Sequence, residues 1–189
     1  MAAQREIAVL VGSLRKESFS RKTALALIAL TPESLKPVIV EIGNLPLYNQ
    51  DLETGTPPAE WVAFRDRMRP MQGVLFVTPE YNRSVPGLLK NAIDVGSRPY
   101  GKSVWDKKPA GIVSVSPGAL GAFGANHHLR QSLVFLNMPA MQMPEVYLGG
   151  ADKLFDAQGK LTNDSTREFL SKFMQSYSTW VEKHAPSSS

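Results

Sequence analysis

A cluster of hydroxyl and cationic residues follows the first apolar run of the chain. The segment Gly12–Ser20 reads G-S-L-R-K-E-S-F-S and leads into a stretch of helical period. Its hydroxyls and cations are Ser13, Arg15, Lys16, Ser18 and Ser20. Hydroxyls and free backbone N–H groups at the start of a helix are donors that bind phosphate. The segment is therefore a candidate phosphate-binding loop; the alternative is a helix start that needs only one serine as its cap.

Two further loops carry residues suited to a flat ligand. Thr78–Gly87 reads T-P-E-Y-N-R-S-V-P-G. Its proline, followed by Glu80, Tyr81 and Asn82, predicts a tight turn that presents amides and an aromatic ring. Ser116–Gly124 reads S-P-G-A-L-G-A-F-G, where glycines allow a planar ligand to approach the backbone closely. Each loop alone is compatible with a plain strand-to-helix turn, but the three together favour a phosphorylated planar group such as a flavin.

Short apolar runs alternate with stretches of helical period along the chain. Strands are predicted at 6–12, 37–42, 73–78, 110–115 and 140–147, and helices at 20–30, 57–71, 86–96, 121–137 and 164–184. The first, third and fourth runs are almost continuous in Val, Ile, Leu and Ala, which is typical of parallel strands buried on both faces. The alternation indicates a doubly wound α/β sheet. Ligands of such sheets bind beyond the carboxyl ends of the strands, where the three loops begin.

The length and composition of the chain exclude several classes of protein and of functional site. The 189 residues include no cysteine, which excludes disulfides, thiolate metal sites and cysteine nucleophiles. The net charge of +4 is scattered, so a nucleic-acid-binding surface is not indicated. No apolar run approaches the roughly 18 residues of a membrane span, and the N-terminus lacks the pattern of a signal peptide. We expect a cytoplasmic protein with one domain over residues 1–184 and a flexible tail at 185–189.

Other motifs do not support a competing chemistry. Gly96–Ser103 matches the nucleotide-binding pattern G-x-x-x-x-G-K-[ST]. That loop needs a strand before it and a helix after it, whereas here a predicted helix precedes and a strand soon follows. His127 and His128 are adjacent, so on a helix they diverge by about 100° and cannot chelate one metal. No metal site is predicted.

The loop segments resemble a known family. G-S-L-R-K-E-S-F-S (12–20), P-E-Y-N-R-S-V-P-G-L-L-K-N-A-I-D (79–94) and H-L-R-Q-S-L-V-F-L (128–136) are similar to NADPH-dependent FMN reductases, above all their branch of chromate and quinone reductases. The resemblance runs over about residues 5–150, and the PEYN–KNAID block is its most specific part. It implies a flavodoxin-like three-layer sandwich, with a five-stranded parallel sheet of order 2-1-3-4-5 and helices on both faces.

The resemblance also implies a cofactor and its contacts. FMN is bound without a covalent link, NADPH or NADH reduces it, and quinones, chromate or ferric complexes reoxidise it in a ping-pong cycle. The phosphate contacts implied are Ser13, Arg15, Ser18, Phe19 and Ser20. The ring contacts implied are Pro79, Glu80, Tyr81, Asn82, Ser116 and Gly118. The hydride chemistry belongs to the flavin, so no side chain is assigned an acid or base role.

Several cations are candidate substrate contacts. Arg83 occupies a position that is often aromatic in the family, and we expect Arg83, Arg98 and Lys102 to attract phosphate groups or anionic oxidants. The alternative function is a flavodoxin-type electron carrier without NAD(P)H turnover of its own; carriers of that kind are acidic, whereas this chain is basic. The apolar content of the helices at 86–96 and 121–137 predicts a homodimer or homotetramer.

Overall fold

A five-stranded parallel sheet forms the centre of the computed structural model, which describes residues 4–185. The strands are β1 (Arg5–Val11), β2 (Leu35–Ile39), β3 (Gly73–Thr78), β4 (Ala110–Val115) and β5 (Val146–Leu148). The helices are α1 (Phe19–Ala29), α2 (Ala59–Met68), α3 (Gly87–Gly96), α4 (Phe123–Phe135) and α5 (Asp164–His184), with short 3-10 turns at Gln50–Glu53 and Ala151–Lys153. The strand order is β2-β1-β3-β4-β5 with every pairing parallel, which confirms the predicted topology.

The helices cover both faces of the sheet. Successive side chains of a strand point to opposite faces, so each inner strand contributes to two cores. Ala8 and Leu10 of β1 belong to the core that contains the buried side chains of α2, α3 and α4. Ile7, Val9 and Val11 belong to the core that contains those of α1 and α5. The inner strands are thus apolar on both faces, which explains their continuous apolar sequence.

The fifth strand is shorter than the predicted 140–147. Ala140 forms an isolated bridge with Ala110, and regular pairing resumes only at Val146. Pro144 lies between them and has no N–H to donate to a ladder, so an unbroken strand cannot form there.

The two ends of the chain are described unequally. Ala185 is the C-cap of α5, and its N–H donates to the Val181 carbonyl at 2.8 Å. The rest of the predicted tail, 186–189, lies outside the described residues, as do residues 1–3. From residue 4 to residue 185, no helix combines the length and apolar character needed to cross a bilayer.

Candidate functional site

The three candidate loops leave neighbouring strands at the carboxyl edge of the sheet. β1 pairs with β2 on one side and β3 on the other, so the strand order reverses at β1 and opens a crevice there. The Gly12 N–H donates to the Val77 carbonyl at 2.9 Å. A Cβ at Gly12 would lie 3.1 Å from Pro79 Cδ and 3.3 Å from Thr78 Oγ1. The absent side chain lets the first two loops approach each other.

The start of α1 presents donors with no partner inside the helix. Ser18 is the N-cap, and its Oγ accepts from the Arg21 N–H at 3.1 Å. The first intrahelical hydrogen bond runs from the Lys22 N–H to the Ser18 carbonyl, so the amides of Phe19 and Ser20 precede it. Ser18 therefore fulfils the capping role and still has its hydroxyl hydrogen to donate.

The cations around this loop differ in their partners. Lys22 Nζ lies 2.9 Å from a Glu17 carboxylate oxygen, and this hydrogen bond lowers the pKa of Glu17. Arg21 is paired with Glu41 at 2.8 Å. Arg15 is exposed and forms no ion pair with any residue between 4 and 185. Lys16 is likewise exposed and in none of the ion pairs of the described residues, so Arg15 and Lys16 are the cations of this loop left for an anionic ligand.

The loop after β3 contains a tight turn at Tyr81–Ser84. Tyr81 and Ser84 exchange two backbone hydrogen bonds of 3.1 and 3.0 Å. Asn82 and Arg83 between them have φ angles of 50° and 64°, the signature of a type I′ turn. Asparagine tolerates this left-handed region, whereas arginine rarely adopts it. Surrounding contacts must hold the turn in this conformation.

Glu80 provides one such contact. Its Oε2 accepts from the backbone N–H of Ala125, in the first turn of α4, at 3.1 Å. The Glu80 side chain is only 15% exposed, and its Oε1 lies 3.7 Å from Nη1 of the exposed Arg83. A Cβ at Gly124 would lie 2.8 Å from the Arg83 carbonyl oxygen and 2.9 Å from Glu80 Oε2. The turn after β3 therefore rests directly on the start of α4.

The loop after β4 folds back over the end of β5. The Ser116 N–H donates to the Leu148 carbonyl at 2.9 Å, and the Ser116 hydroxyl donates to the Gly118 carbonyl at 3.2 Å. Gly121 has a φ of 56°, and a Cβ there would lie 2.5 Å from the Tyr147 backbone. A Cβ at Gly118 would contact only Ser116 Oγ, at 3.7 Å, so a planar group can approach the backbone at Gly118.

The adjacent histidines of α4 have separate hydroxyl partners. His127 Nε2 lies 2.9 Å from the Tyr147 hydroxyl, and His128 Nδ1 lies 3.0 Å from Ser84 Oγ. Burial raises the pKa of Tyr147 to about 12, so its hydroxyl stays protonated at neutral pH. Within the described part of the chain, no group of three or more acidic or histidine side chains is placed to hold a metal.

Two of the candidate cations lie in the segment that follows α3. Arg98 and Lys102 follow α3, which starts at the carboxyl edge after β3 and runs back to the opposite edge before β4. The Arg98 guanidinium lies 5.9 Å from the Tyr48 ring centre. The role of Arg98 and Lys102 as substrate contacts stays a prediction. Gly96–Ser103 begins at the last residue of α3 and is followed by β4, so it lacks the preceding strand and following helix that a nucleotide-binding loop requires.

The loop between β2 and α2 also borders the site, and we did not predict it. A Cβ at Gly43 would lie 2.7 Å from Leu14 Cδ2, so this loop packs against the candidate phosphate loop. Asn91 of α3 donates to the carbonyls of Leu45 and Pro46 at 3.2 and 3.0 Å. The available signal was Asn91 itself, an uncharged polar residue in the K-N-A-I-D block of a predicted helix.

The donors at this edge fit the two ends of an FMN molecule. The unpaired amides of Phe19 and Ser20, the Ser18 hydroxyl and Arg15 match a phosphate. The backbone space at Gly118 and the turn after β3 match a flat ring. This strand order, with such loops at its switch point, defines the class of flavodoxin-like FMN-binding proteins.

Comparison with known proteins identifies the family. The model of the family described as NADPH-dependent FMN reductase matches residues 5–153. The chain belongs to the NADPH-dependent FMN reductase family. The predicted FMN dependence and use of NAD(P)H are thereby confirmed, and the reductase is favoured over the electron carrier.

The similarity to known proteins extends over nearly the whole chain. A quinone reductase of Pseudomonas putida is 64% identical over 182 residues, which cover 96% of this chain and 97% of the relative. A 2-hydroxy-1,4-benzoquinone reductase of a Burkholderia species is 44% identical over 176 residues, covering 93% and 96%. The structure of FerB, a flavoenzyme NAD(P)H:(acceptor) oxidoreductase of Paracoccus denitrificans, is similar with a TM-score of 0.90 at 40% identity, covering 96% of this chain and 100% of FerB.

Proposed function

We propose that this chain is an NAD(P)H:quinone oxidoreductase that works with FMN at the carboxyl edge of its sheet. One observation carries the proposal. At Gly12, the loop that contains the phosphate donors before α1 packs directly against the segment that leads into the turn after β3. The similarity to two quinone reductases supports quinones as the oxidants.

The loop before α1 holds the phosphate in this proposal. The contacts are the hydroxyls of Ser13, Ser18 and Ser20, the amides of Phe19 and Ser20, and the Arg15 guanidinium. A hydrogen bond to a charged group contributes about 1.5–3 kcal/mol, whereas the dipole of α1 adds only about 0.3–1 kcal/mol. The directed donors therefore provide most of the binding energy.

The turns after β3 and β4 position the flavin ring. Pro79, Glu80, Tyr81 and Asn82 form one wall, and Ser116 and Gly118 form the other. Bound FMN supplies the redox chemistry: a hydride comes from NAD(P)H, and two electrons and two protons then convert a quinone to a hydroquinone in a ping-pong cycle. The protein contributes the shape of the slot and its rigid hydrogen bonds.

Arg83 supplies positive charge at the mouth of the slot. Its side chain is 76% exposed and only loosely paired with Glu80, so it can attract the phosphates of NADPH or an anionic oxidant such as chromate or a ferric complex. Arg83→Ala raises the KM for NADPH and for chromate several-fold and leaves the KM for a neutral quinone unchanged. Unchanged KM values for both anions would remove Arg83 from this role.

Anaerobic titration of the purified protein tests the function. We expect the visible absorption of bound flavin to bleach rapidly on addition of NADPH alone and to return on addition of a quinone. Bleaching that requires a separate reductase would support the carrier instead. A protein that takes up no added FMN would overturn the proposal.

We also propose a homodimer or homotetramer in the cytoplasm, where NAD(P)H is regenerated. Val134 and Phe135 on α4 are 79% and 90% exposed. Phe135 also lines a groove of about 850 Å³ between α3, α4 and the loop that follows α3. Apolar side chains exposed to this extent support burial against a second copy. Light scattering at micromolar concentration gives the mass, and a monomer mass would contradict the assembly.

A further inference from the structure

The N-terminus of α4 has no cap from its own sequence. Its N-cap residue is Ala122, in the left-handed region at φ 62°, and no side chain of the capping segment accepts a hydrogen bond. The first turn contains no acidic residue. Ala125 is completely buried, so its N–H has no access to water. A buried donor of this kind needs an acceptor from elsewhere in the fold.

Glu80 supplies that acceptor from a loop 45 residues earlier in the chain. Its carboxylate is nearly buried and reaches the Ala125 N–H at 3.1 Å. A negative charge at this position also interacts favourably with the positive end of the α4 dipole. The hydrogen bond therefore joins the segment after β3 to the helix that follows β4.

A second contact anchors the other end of the same turn. Ser84, the last residue of the type I′ turn, lies with its Oγ 3.0 Å from His128 Nδ1. Ala125 and His128 are three residues apart and so occupy the same side of α4. The turn is held against one face of α4 at both ends, with Gly124 leaving room for the Arg83 carbonyl between them.

We propose that Glu80 is a positioning residue that sets the width of the slot for the flavin ring. The inference rests on the proposed function, because it takes the loops after β3 and β4 as the two walls of that slot. Glu80 belongs to the wall after β3, and its hydrogen bond fixes that wall to α4, the helix that follows the wall after β4. What matters in this role is the reach of the side-chain oxygen, and neither its charge nor proton transfer is required.

Two variants separate reach from charge. Glu80→Gln keeps the length of the side chain and an acceptor oxygen but removes the charge. Glu80→Asp keeps the charge but is one methylene shorter, so it falls short of Ala125. Glu168→Ala, at an exposed acid of α5 that is paired with Lys172, is the control for the loss of one negative charge.

The first measurement uses the protein without added flavin. Hydrogen exchange at the Ala125 amide, followed by NMR, is about tenfold or more faster in Glu80→Asp and close to wild type in Glu80→Gln and Glu168→Ala. Equal protection of Ala125 in all four proteins would overturn the tie between Glu80 and α4. This measurement tests the hydrogen bond between Glu80 and Ala125 even if the wild type fails to bind FMN. Failure to bind FMN would refute the proposed function separately.

The second measurement is the FMN dissociation constant, from quenching of flavin fluorescence. We expect about a tenfold increase in Kd for Glu80→Asp and less than about a threefold change for Glu80→Gln. Weak binding by Glu80→Gln together with normal binding by Glu80→Asp would show that charge is what matters and would overturn the positioning role. Wild-type affinity in both variants would overturn it as well.

Discussion

The side chain of Asn91 in α3 accepts a hydrogen bond from the backbone N–H of Tyr48 at 2.8 Å. The same amide donates to Leu45 and Pro46, so one side chain makes three hydrogen bonds to the loop between β2 and α2. This loop packs on the candidate phosphate loop through Gly43 and Leu14. Asn91 thus connects the interior of the fold to the border of the flavin site.

Asn91→Ala lowers the free energy of unfolding by about 2–3 kcal/mol, because it leaves buried donors and acceptors without partners. Asn91 is only 8% exposed, so water cannot replace the lost bonds. Urea unfolding measures the change. Asn49→Ala, which removes an exposed cap from a 3-10 turn, is the control and costs about 1 kcal/mol or less. Equal losses in the two variants would contradict this account of the loop.

The surroundings of Lys108 predict that the free energy of unfolding depends on pH. Its Nζ donates to the carbonyls of Met68 and Arg69 at the end of α2, at 2.6 and 2.9 Å. Burial, and secondarily the Arg69 charge, lowers the pKa of Lys108 from 10.5 to about 8. Between these two values the unfolded chain binds more protons than the folded chain, so this residue makes stability rise with pH from about 8 to 10.5.

Lys108→Met removes this contribution. The difference in unfolding free energy between wild type and Lys108→Met therefore shifts in favour of wild type as the pH rises from 7 to 10. Comparing the two proteins cancels titrations that they share. Urea midpoints at four pH values measure the difference, and Lys102→Met, at an exposed lysine, is the control for the removal of one charge. A difference that stays constant with pH would contradict the lowered pKa.

The sequence was most informative where one local feature determines the structure. The inner strands β1, β3 and β4 are apolar on both faces, and this requires a sheet covered on both sides. A serine cap at the start of α1 was expected without a choice among the loop's serines, and the structure assigns that cap to Ser18. The turn at Asn82 followed from residues that favour tight turns.

The remaining features depend on contacts between distant segments. The hydrogen bond from Ala125 to Glu80 spans 45 residues, and no spacing rule within a helix or loop predicts it. The position of Arg98 depends on the course of α3, which ends at Gly96 and leaves this arginine 5.9 Å from the ring centre of Tyr48, a residue 50 positions earlier in the chain. The start of β5 depends on Pro144, whose effect on a ladder requires knowledge of the partner strand.

The two glycines at the ends of α3 predict opposite effects of alanine. A Cβ at Gly96 would lie 2.5 Å from Cζ2 of Trp105, a completely buried side chain, so Gly96→Ala is expected to lower stability by about 1–3 kcal/mol. A Cβ at Gly87 would have no neighbour within 4 Å, so Gly87→Ala raises stability by about 0.5 kcal/mol. Thermal unfolding of both variants gives the two shifts. A rise in Tm for Gly96→Ala would show that Trp105 moves aside without cost.

Arg15 provides the sharpest test of the phosphate loop, because FMN and riboflavin differ only in the phosphate. Arg15→Ala raises the Kd for FMN about tenfold, the loss of one charged hydrogen bond, and leaves the Kd for riboflavin unchanged. Arg21→Ala is the matched control, because it removes the same charge from a side chain that is already paired with Glu41. We expect a smaller increase in the Kd for FMN in this variant. Fluorescence titration gives all the constants. An equal loss of affinity for both flavins in Arg15→Ala would place Arg15 at the ring or in the fold instead of at the phosphate.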